Sequence, residues 1–391
     1  MAPTPTPAVP SLDLRTLAVA DPYPALAAAR DTAPLVADTT RGGWLLCRHA
    51  EVAAALRDRR LGRVDPATGA PARSGCPAFS ALERWSLLDL EGPDHERLRA
   101  RVARLFTPSA VAARRPAIET LAAELLDPVL ARLRDGDAVD LLADYAGPFA
   151  VSVICDLLGV PRADGPRLLA WSHAMVRLYE VAPPPKQRAA AELAAVEFAA
   201  YVDGLPDVLG PLGLSPAERR STVVLLLNAG HEATVNALGN GLRALLSHPD
   251  QWRRLADGAV DAGSVLEECL RFDGPLMLFD RIVIDPAGIE LAGHRLGPGE
   301  RVGLLFGAAN RDPRRFADPD RFDAGRGDAG HVGFGGGAHF CLGAPLARAE
   351  LAVSLAALAA RAPGLTLAAE PEFHPTFVIR GLRALPVATT R

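Results

Sequence analysis

The sequence predicts a mainly α protein with a small β subdomain, and three observations carry that expectation. From about Pro93 to His248, apolar residues recur at helical spacing with little interruption. After Phe272 the pattern changes to short β-type runs and turns: Ile282-Val283-Ile284, Gly288-Ile289-Glu290-Leu291 and Gly297-Pro298-Gly299. A helical pattern returns from Ala344 to about Ala360, straight after a glycine-rich stretch that holds one cysteine.

Taken in order, residues 1–14 are proline-rich and are expected as a flexible tail, which leaves 15–391 as a single domain. Short β signals follow near Leu35 and at Trp44–Arg48. The best-defined helix begins at Ser215-Pro216-Ala217-Glu218. Serine as N-cap, proline at the first helical position and glutamate at the third form a capping box. The pattern runs to Ser247, where His248-Pro249 stops it. At 1.5 Å per residue the helix spans roughly 48 Å, enough to cross the domain. Ala229, Ala233 and Ala237 share one stripe of it, with Gly230 beside them. Such a stripe serves close helix packing, or leaves a trough for a planar ligand. Residues 310–340 read as irregular coil, and short strands are expected near Leu365–Leu367 and Phe377–Ile379.

Composition bounds the function classes. The 391 residues, 49% hydrophobic and 23% charged, are ordinary for a globular protein with a substantial core. A net charge of −4 points to neither nucleic acid nor an anionic membrane as partner. No apolar run approaches the ~18 residues of a membrane span, and no basic-then-apolar leader opens the chain. Cysteines at 47, 76, 155, 269 and 341 form no C-x-x-C pair, so neither a disulfide framework nor a zinc site is indicated. A reducing cytoplasm is the expected setting.

Phe334-Gly335-Gly336-Gly337-Ala338-His339-Phe340-Cys341-Leu342-Gly343 constrains the chemistry most. A lone intracellular cysteine is usually a small buried hydrophobe. Here it precedes a helix whose first amides and partial positive charge lower a thiol's pKa, so a metal-binding thiolate is the other reading. Glycines at 335, 336, 337 and 343 let backbone approach a flat ligand. Glu268 and Arg271 stand at i, i+3 on one helix face, as do His95 and Arg99 at i, i+4. Each pair is consistent with an ordinary solvated face.

The spacing F-x-x-G-x-H-x-C-x-G from Phe334 to Gly343 resembles the heme-ligand signature of the cytochrome P450 family. Glu268-Cys269-Leu270-Arg271 resembles its E-x-x-R motif, and Phe316–Asp323 resembles the segment that supplies a third member, here Arg321. The resemblance, from about Asp21 to Val387, implies a P450-like fold with the long helix over the heme and the Cys loop beneath it. It also implies heme b (iron protoporphyrin IX) ligated by Cys341, with His95, Arg99, Arg281 and His339 holding its propionates. Phe334, Gly335, Gly343, Ala229 and Gly230 would line it. Glu268, Arg271 and Arg321 would form a structural lock behind the thiolate.

Ala229-Gly230-His231-Glu232-Ala233-Thr234 departs from the family pattern. There an acid and then an alcohol deliver protons to activated dioxygen. Glu232 is the acid, but the alcohol position is Ala233, and Thr234 lies about 100° further round the helix. A substrate hydroxyl, or water held by Glu232, Asn228 or Asn236, would then complete the relay. Peroxide-driven or radical-coupling chemistry is the alternative. The segment from Tyr201 to Ser215 is also too short for the acidic loop and extra helix common in the family.

By the same resemblance, the substrate pocket takes Leu87, Leu88, Trp171, Met175, Leu225, Met277, Leu278 and Phe377. Phe79, Trp85, Tyr179, Leu276, Phe279 and Thr376 lie in the same stretches. The set is apolar with no charged anchor, which implies a medium-sized lipophilic metabolite. Electrons would come from a separate ferredoxin or flavodoxin-like protein, docking at Arg97, Arg101, Arg104, Arg114, Arg115 and Arg348. A monomer is expected.

Overall fold

The computed structural model describes residues 9–64, 76–206, 208–328 and 330–389. Chain order begins with β1 (Ser11–Leu12), α1 (Tyr23–Thr32), β2 (Leu35–Asp38), β3 (Trp44–Leu46), α2 (His49–Ala55) and β4 (Leu61–Gly62). Then come α3 (Pro77–Glu83), α4 (Gly92–Val102), α5 (Pro108–Asp135), β5 (Val139–Asp140), α6 (Gly147–Leu158), α7 (Gly165–Val176) and α8 (Pro185–Gly204). The long α9 (Pro216–Leu246), α10 (Pro249–Ala256) and α11 (Ala262–Asp273) follow. β6 (Leu278–Val283), β7 (Ile289–Leu291), β8 (His294–Leu296), β9 (Arg301–Leu305) and α12 (Phe306–Ala309) form the β-rich stretch. α13 (Ala344–Arg361), β10 (Leu365–Leu367) and β11 (Pro386–Thr389) close the chain.

A six-stranded sheet runs β1-β2-β3-β9-β6-β4, and β10-β11-β5 and the β7-β8 hairpin complete the β content. Alternation along the larger sheet builds two cores. Leu35, Leu46, Val302 and Leu304 pack with α2 on one face, while Val36, Leu45, Leu278 and Leu305 pack with Leu14, Leu17 and α1 on the other. The helices share a third, larger core around α9. Ser215 and Glu218 make the reciprocal capping-box bonds (3.3 and 2.9 Å), so α9 starts where the sequence predicts. Both faces of α9 are covered, by α3, α6, α7, α8, α11 and α13.

Two expectations change. Of the tail expected at 1–14, residues 1–8 lie outside the described residues, and the rest is built into the fold. Ser11 and Leu12 pair in parallel with Ala37 and Asp38, and Leu14 is completely buried. Phe377–Ile379 makes a single bridge, Leu276 to Ile379, instead of a strand. Its three amides donate to the Glu180 carboxylate, which takes the place of a partner strand. Between α8 and Ser215 the chain makes one 3-10 turn, Gly210–Leu212.

Candidate active site

The Cys341 loop is closed by backbone bonds from Cys341 to Phe334 (2.9 Å) and from Phe340 to Gly337 (3.1 Å). Gly335 (φ +71°) and Gly337 (φ +65°) adopt left-handed backbone, and a Cβ at Gly337 would overlap the Leu56 carbonyl at the end of α2. Gly336 also faces Leu56. The glycines at 336 and 337 therefore serve the approach of α2, and not of a flat ligand as the sequence suggested. The amides of Gly343 and Ala344, where α13 begins, pull the Cys341 thiol pKa down, and the Ala344 amide bonds to the Cys341 carbonyl at 3.4 Å. The sequence predicts a lowered thiol pKa. The net direction is instead upward, because desolvation outweighs those amides and the nearby Arg99 and Arg348. Cys341 is partly buried.

Beside the loop stands a set of donor groups that the described residues satisfy only in part. The rings of His95 and His339 lie 4.6 Å apart. His95 Nε2 and His339 Nδ1 are buried with no partner, while His339 Nε2 meets Glu91 at 3.1 Å. Burial, then His339 and Arg99, push His95 down to about 4. Arg99 donates to the Phe340 carbonyl at 2.6 Å. Arg281, 1% exposed on β6, has no carboxylate within 4.0 Å among the described residues. It makes one 3.5 Å contact, to the carbonyl of Asp280, and lies 4.6 Å from the Phe279 ring. Burial and the neighbouring Arg63 push its pKa down to about 9. A buried cation and two imidazoles of this kind call for an anion. The chemistry of these residues fits the two propionates of heme b, and the Cys341 thiolate is of the kind that would hold its iron.

The predicted lock is present, with one member exchanged. Arg271 Nε and Nη2 donate to Glu268 at 2.6 and 2.9 Å, both side chains fully buried. Arg271 Nη1 reaches the carbonyls of Asn310 and Pro319. Arg321 contributes only its carbonyl, to Arg271 at 3.3 Å. The side chain that meets Glu268 is Arg326, whose Nε donates at 3.1 Å and whose other nitrogens reach Ala317, Asp318 and Arg321 carbonyls. Phe322 is the reason. Its ring is buried against His248 (5.5 Å), which turns the preceding Arg321 outward, and the turn from Asp323 to Arg326 brings the later arginine back. Glu267, which sequence reasoning passed over, accepts from Arg348 (2.5 and 2.9 Å) and meets His331 at 2.9 Å. It ties α11 to the Cys-loop entrance and the first turn of α13. Its signal was its position next to Glu268, about 100° round the helix and so facing a different partner.

On the opposite side, Ala229 and Ala233 are exposed although α9 is covered all round, so the small-residue stripe opens onto a cleft. Gly230 points away from it, since a Cβ there would overlap Ile154 of α6; its role is helix packing. Thr234 is buried and its hydroxyl donates back to the Gly230 carbonyl at 2.9 Å. Glu232 faces His173 Nε2 at 3.0 Å and His231 Nε2 at 3.4 Å, with Asn236 at 3.5 Å. Against the upward pull of burial, the two imidazoles hold its carboxyl well below the usual carboxylate range. The neighbouring Glu232 carboxylate raises the His173 pKa in turn, with burial opposing. The sequence gives no sign of His173, which comes from α7. Asn228, 2% exposed, has neither end of its amide bonded.

Most of the expected pocket residues are core. Met175 is completely buried and Leu87 nearly so, and Trp171 stacks on Phe198 and donates to Glu197. Met277, Leu278 and Phe377 fill the core between the sheet and α1. Leu88 and Leu225 remain partly open. Phe79 and Tyr179 do line a cavity of about 180 Å³, together with Arg63, Asp89, Glu180 and Asp280. Of the docking arginines, Arg97 pairs with Asp94 and Glu218, Arg115 with Glu119 and Arg348 with Glu267. Arg104 is exposed.

A family model described as cytochrome P450 matches residues 262–361, the stretch from α11 through α13. The chain is 36% identical to the cytochrome P450 monooxygenase PikC of Streptomyces venezuelae, over 98% of this chain and 95% of that one. It is 37% identical to the vitamin D(3) 25-hydroxylase of Pseudonocardia autotrophica, over 94% and 93%. Among solved structures it superposes on P450BioI, crystallised with a hexadec-9Z-enoic acid ligated acyl carrier protein, with a TM-score of 0.88. That match is at 32% identity and covers 95% of this chain and 99% of the other.

Proposed function

The chain belongs to the cytochrome P450 family of heme b monooxygenases, and we propose that it oxygenates a medium-sized lipophilic metabolite in secondary metabolism. One oxygen atom of O2 enters the substrate and the other leaves as water. The two electrons come from a separate ferredoxin or flavodoxin-like protein. Two observations carry the cofactor assignment to these residues: Arg281, 1% exposed, has no carboxylate within 4.0 Å among the described residues, and His339 in the Cys341 loop and its neighbour His95 each keep a buried ring nitrogen unpaired there. One relative supports the substrate class, being named a vitamin D(3) 25-hydroxylase, which acts on a lipophilic molecule.

When bound, heme b supplies thiolate-ligated iron at which O2 is reduced. The protein's own part is division of labour. Cys341 Sγ would hold the iron, with the Gly343 and Ala344 amides favouring its thiolate form. Arg99, Arg281, His95 and His339 would neutralise the carboxylates. Ala229 and Ala233 leave the cleft clear on the other side. His173, more than half exposed, stands between solvent and Glu232 Oε2, so protons enter there. Thr234 is committed to its own helix, so the onward step falls to water held by Glu232, Asn228 and Asn236, or to a substrate hydroxyl.

Ala233 favours a second reading, in which the enzyme uses peroxide or couples radicals and needs less proton delivery. Turnover with reductant and O2, compared with peroxide alone, separates the two. The foundation is tested by the reduced carbon-monoxide spectrum: the thiolate signature is expected in the parent and lost in Cys341→Ser. Its survival in that variant would overturn the assignment. A spin-state screen of lipophilic metabolites then identifies the substrate.

A further inference from the structure

We propose that His173 Nε2, His231 Nε2 and the Glu232 carboxylate form a binding site for a zinc-type divalent cation. The three ligand atoms lie within 4.8 Å of one another. Two of the separations are 3.0 and 3.4 Å, which bracket the edge of about 3.3 Å expected between ligands ~2.0 Å from a tetrahedral ion.

The orientation of His231 points the same way. Its Nδ1 lies 3.0 Å from the Leu227 carbonyl, one turn back in α9, and an acceptor there requires Nδ1 to carry the hydrogen. Nε2 of the neutral ring then presents a lone pair. That atom is buried, in a residue 2% exposed, and no hydrogen bond satisfies it although it faces a carboxylate oxygen. With the ring neutral, two lone-pair bearers stand face to face, and a cation between them satisfies both. An imidazole whose second nitrogen donates to a backbone carbonyl is also the usual arrangement behind a metal-bound histidine. Glu232 Oε2 is likewise without a well-aligned hydrogen bond, despite its short distance to His173. His173, 57% exposed, gives the ion a route from solvent. Nitrogen-rich donor sets of this kind select zinc over magnesium.

An ion at this place joins α7 to α9 and removes the Glu232 carboxylate from proton delivery, a consequence that rests on the role proposed above for Glu232. Binding itself does not depend on that role. Calorimetric titration of the heme-loaded protein with Zn2+ is expected to show one site per chain, with no comparable heat from Mg2+. His173→Ala, at an exposed position, is expected to weaken it by about 100-fold or more, as is Glu232→Gln. No Zn2+ isotherm, or an isotherm that His173→Ala leaves unchanged, would overturn the proposal. Zn2+ binding accompanied by a chelator-reversible loss of turnover supports both site and consequence. Binding with full turnover supports the site and removes Glu232 from the relay.

Discussion

Below the heme site, Glu268 commits both carboxylate oxygens to Arg271, Arg326 and the Asp323 amide. Above it, Asn228 is equally buried and neither end of its amide is bonded, while Glu232 shares one oxygen between two histidines. The two regions obey the same electrostatics with opposite outcomes. A network in which both carboxylate oxygens are fully bonded holds one geometry, and removing Glu268 or Arg271 leaves a buried charge without its main partner. A region with unused hydrogen-bonding capacity can take up water, a proton or a ligand. The proximal half is built to stay fixed and the distal half to exchange.

Substitutions can break that contrast. The largest effect is expected from Arg271→Ala, which strands the buried Glu268 and should cost about 3–5 kcal/mol in urea unfolding, with loss of bound heme. A cost under about 1 kcal/mol would show that the network is not what fixes the loop. Next, Glu232→Gln should lower product formation by about 10²-fold while unfolding and the carbon-monoxide spectrum stay as they were. A matching loss of stability would instead make Glu232 structural. Smaller again, Arg326→Ala should cost about 1.5–3 kcal/mol and Arg321→Ala less than about 0.5, since Arg321 contributes only backbone. Equal effects would return Arg321 to the lock.

The mildest test is acid titration. Although burial pulls the other way, Arg348 and His331 bring the Glu267 carboxyl down to about 2 from an ordinary 4.5. A lowered folded-state pKa means the bond stabilises fully above about pH 4.5 and is lost as pH falls toward 2. Glu267→Gln should therefore flatten the loss of stability across that window. A parallel curve would show that Glu267 does not hold the loop entrance.

The stretches with a local cause were legible in advance. The capping box at Ser215 rests on residues a few positions apart, where spacing alone settles which groups meet, whereas the Cys341 loop and the Glu268–Arg271 pair are read through the family resemblance. The donors His95, Arg99, Arg281 and His339 come from the same family pattern, and the fold sets His95 against His339 and Arg99 against the Phe340 carbonyl. The misreadings have a common origin too. Met277, Leu278 and Phe377 are apolar enough for a pocket, but the N-terminal residues expected as a tail cover that face of the sheet and make it core.

By itself, then, the sequence determined the helices, the cysteine loop and the missing alcohol at Ala233, because these depend on short-range geometry and residue type. Only tertiary structure decided that Arg326 replaces Arg321, that Gly230 serves α6, and that His173 from α7 meets Glu232 on α9. Those outcomes depend on which side chain a neighbouring core residue turns inward and on which helices cross. Such contacts join residues far apart in the chain, and spacing along the chain does not encode them.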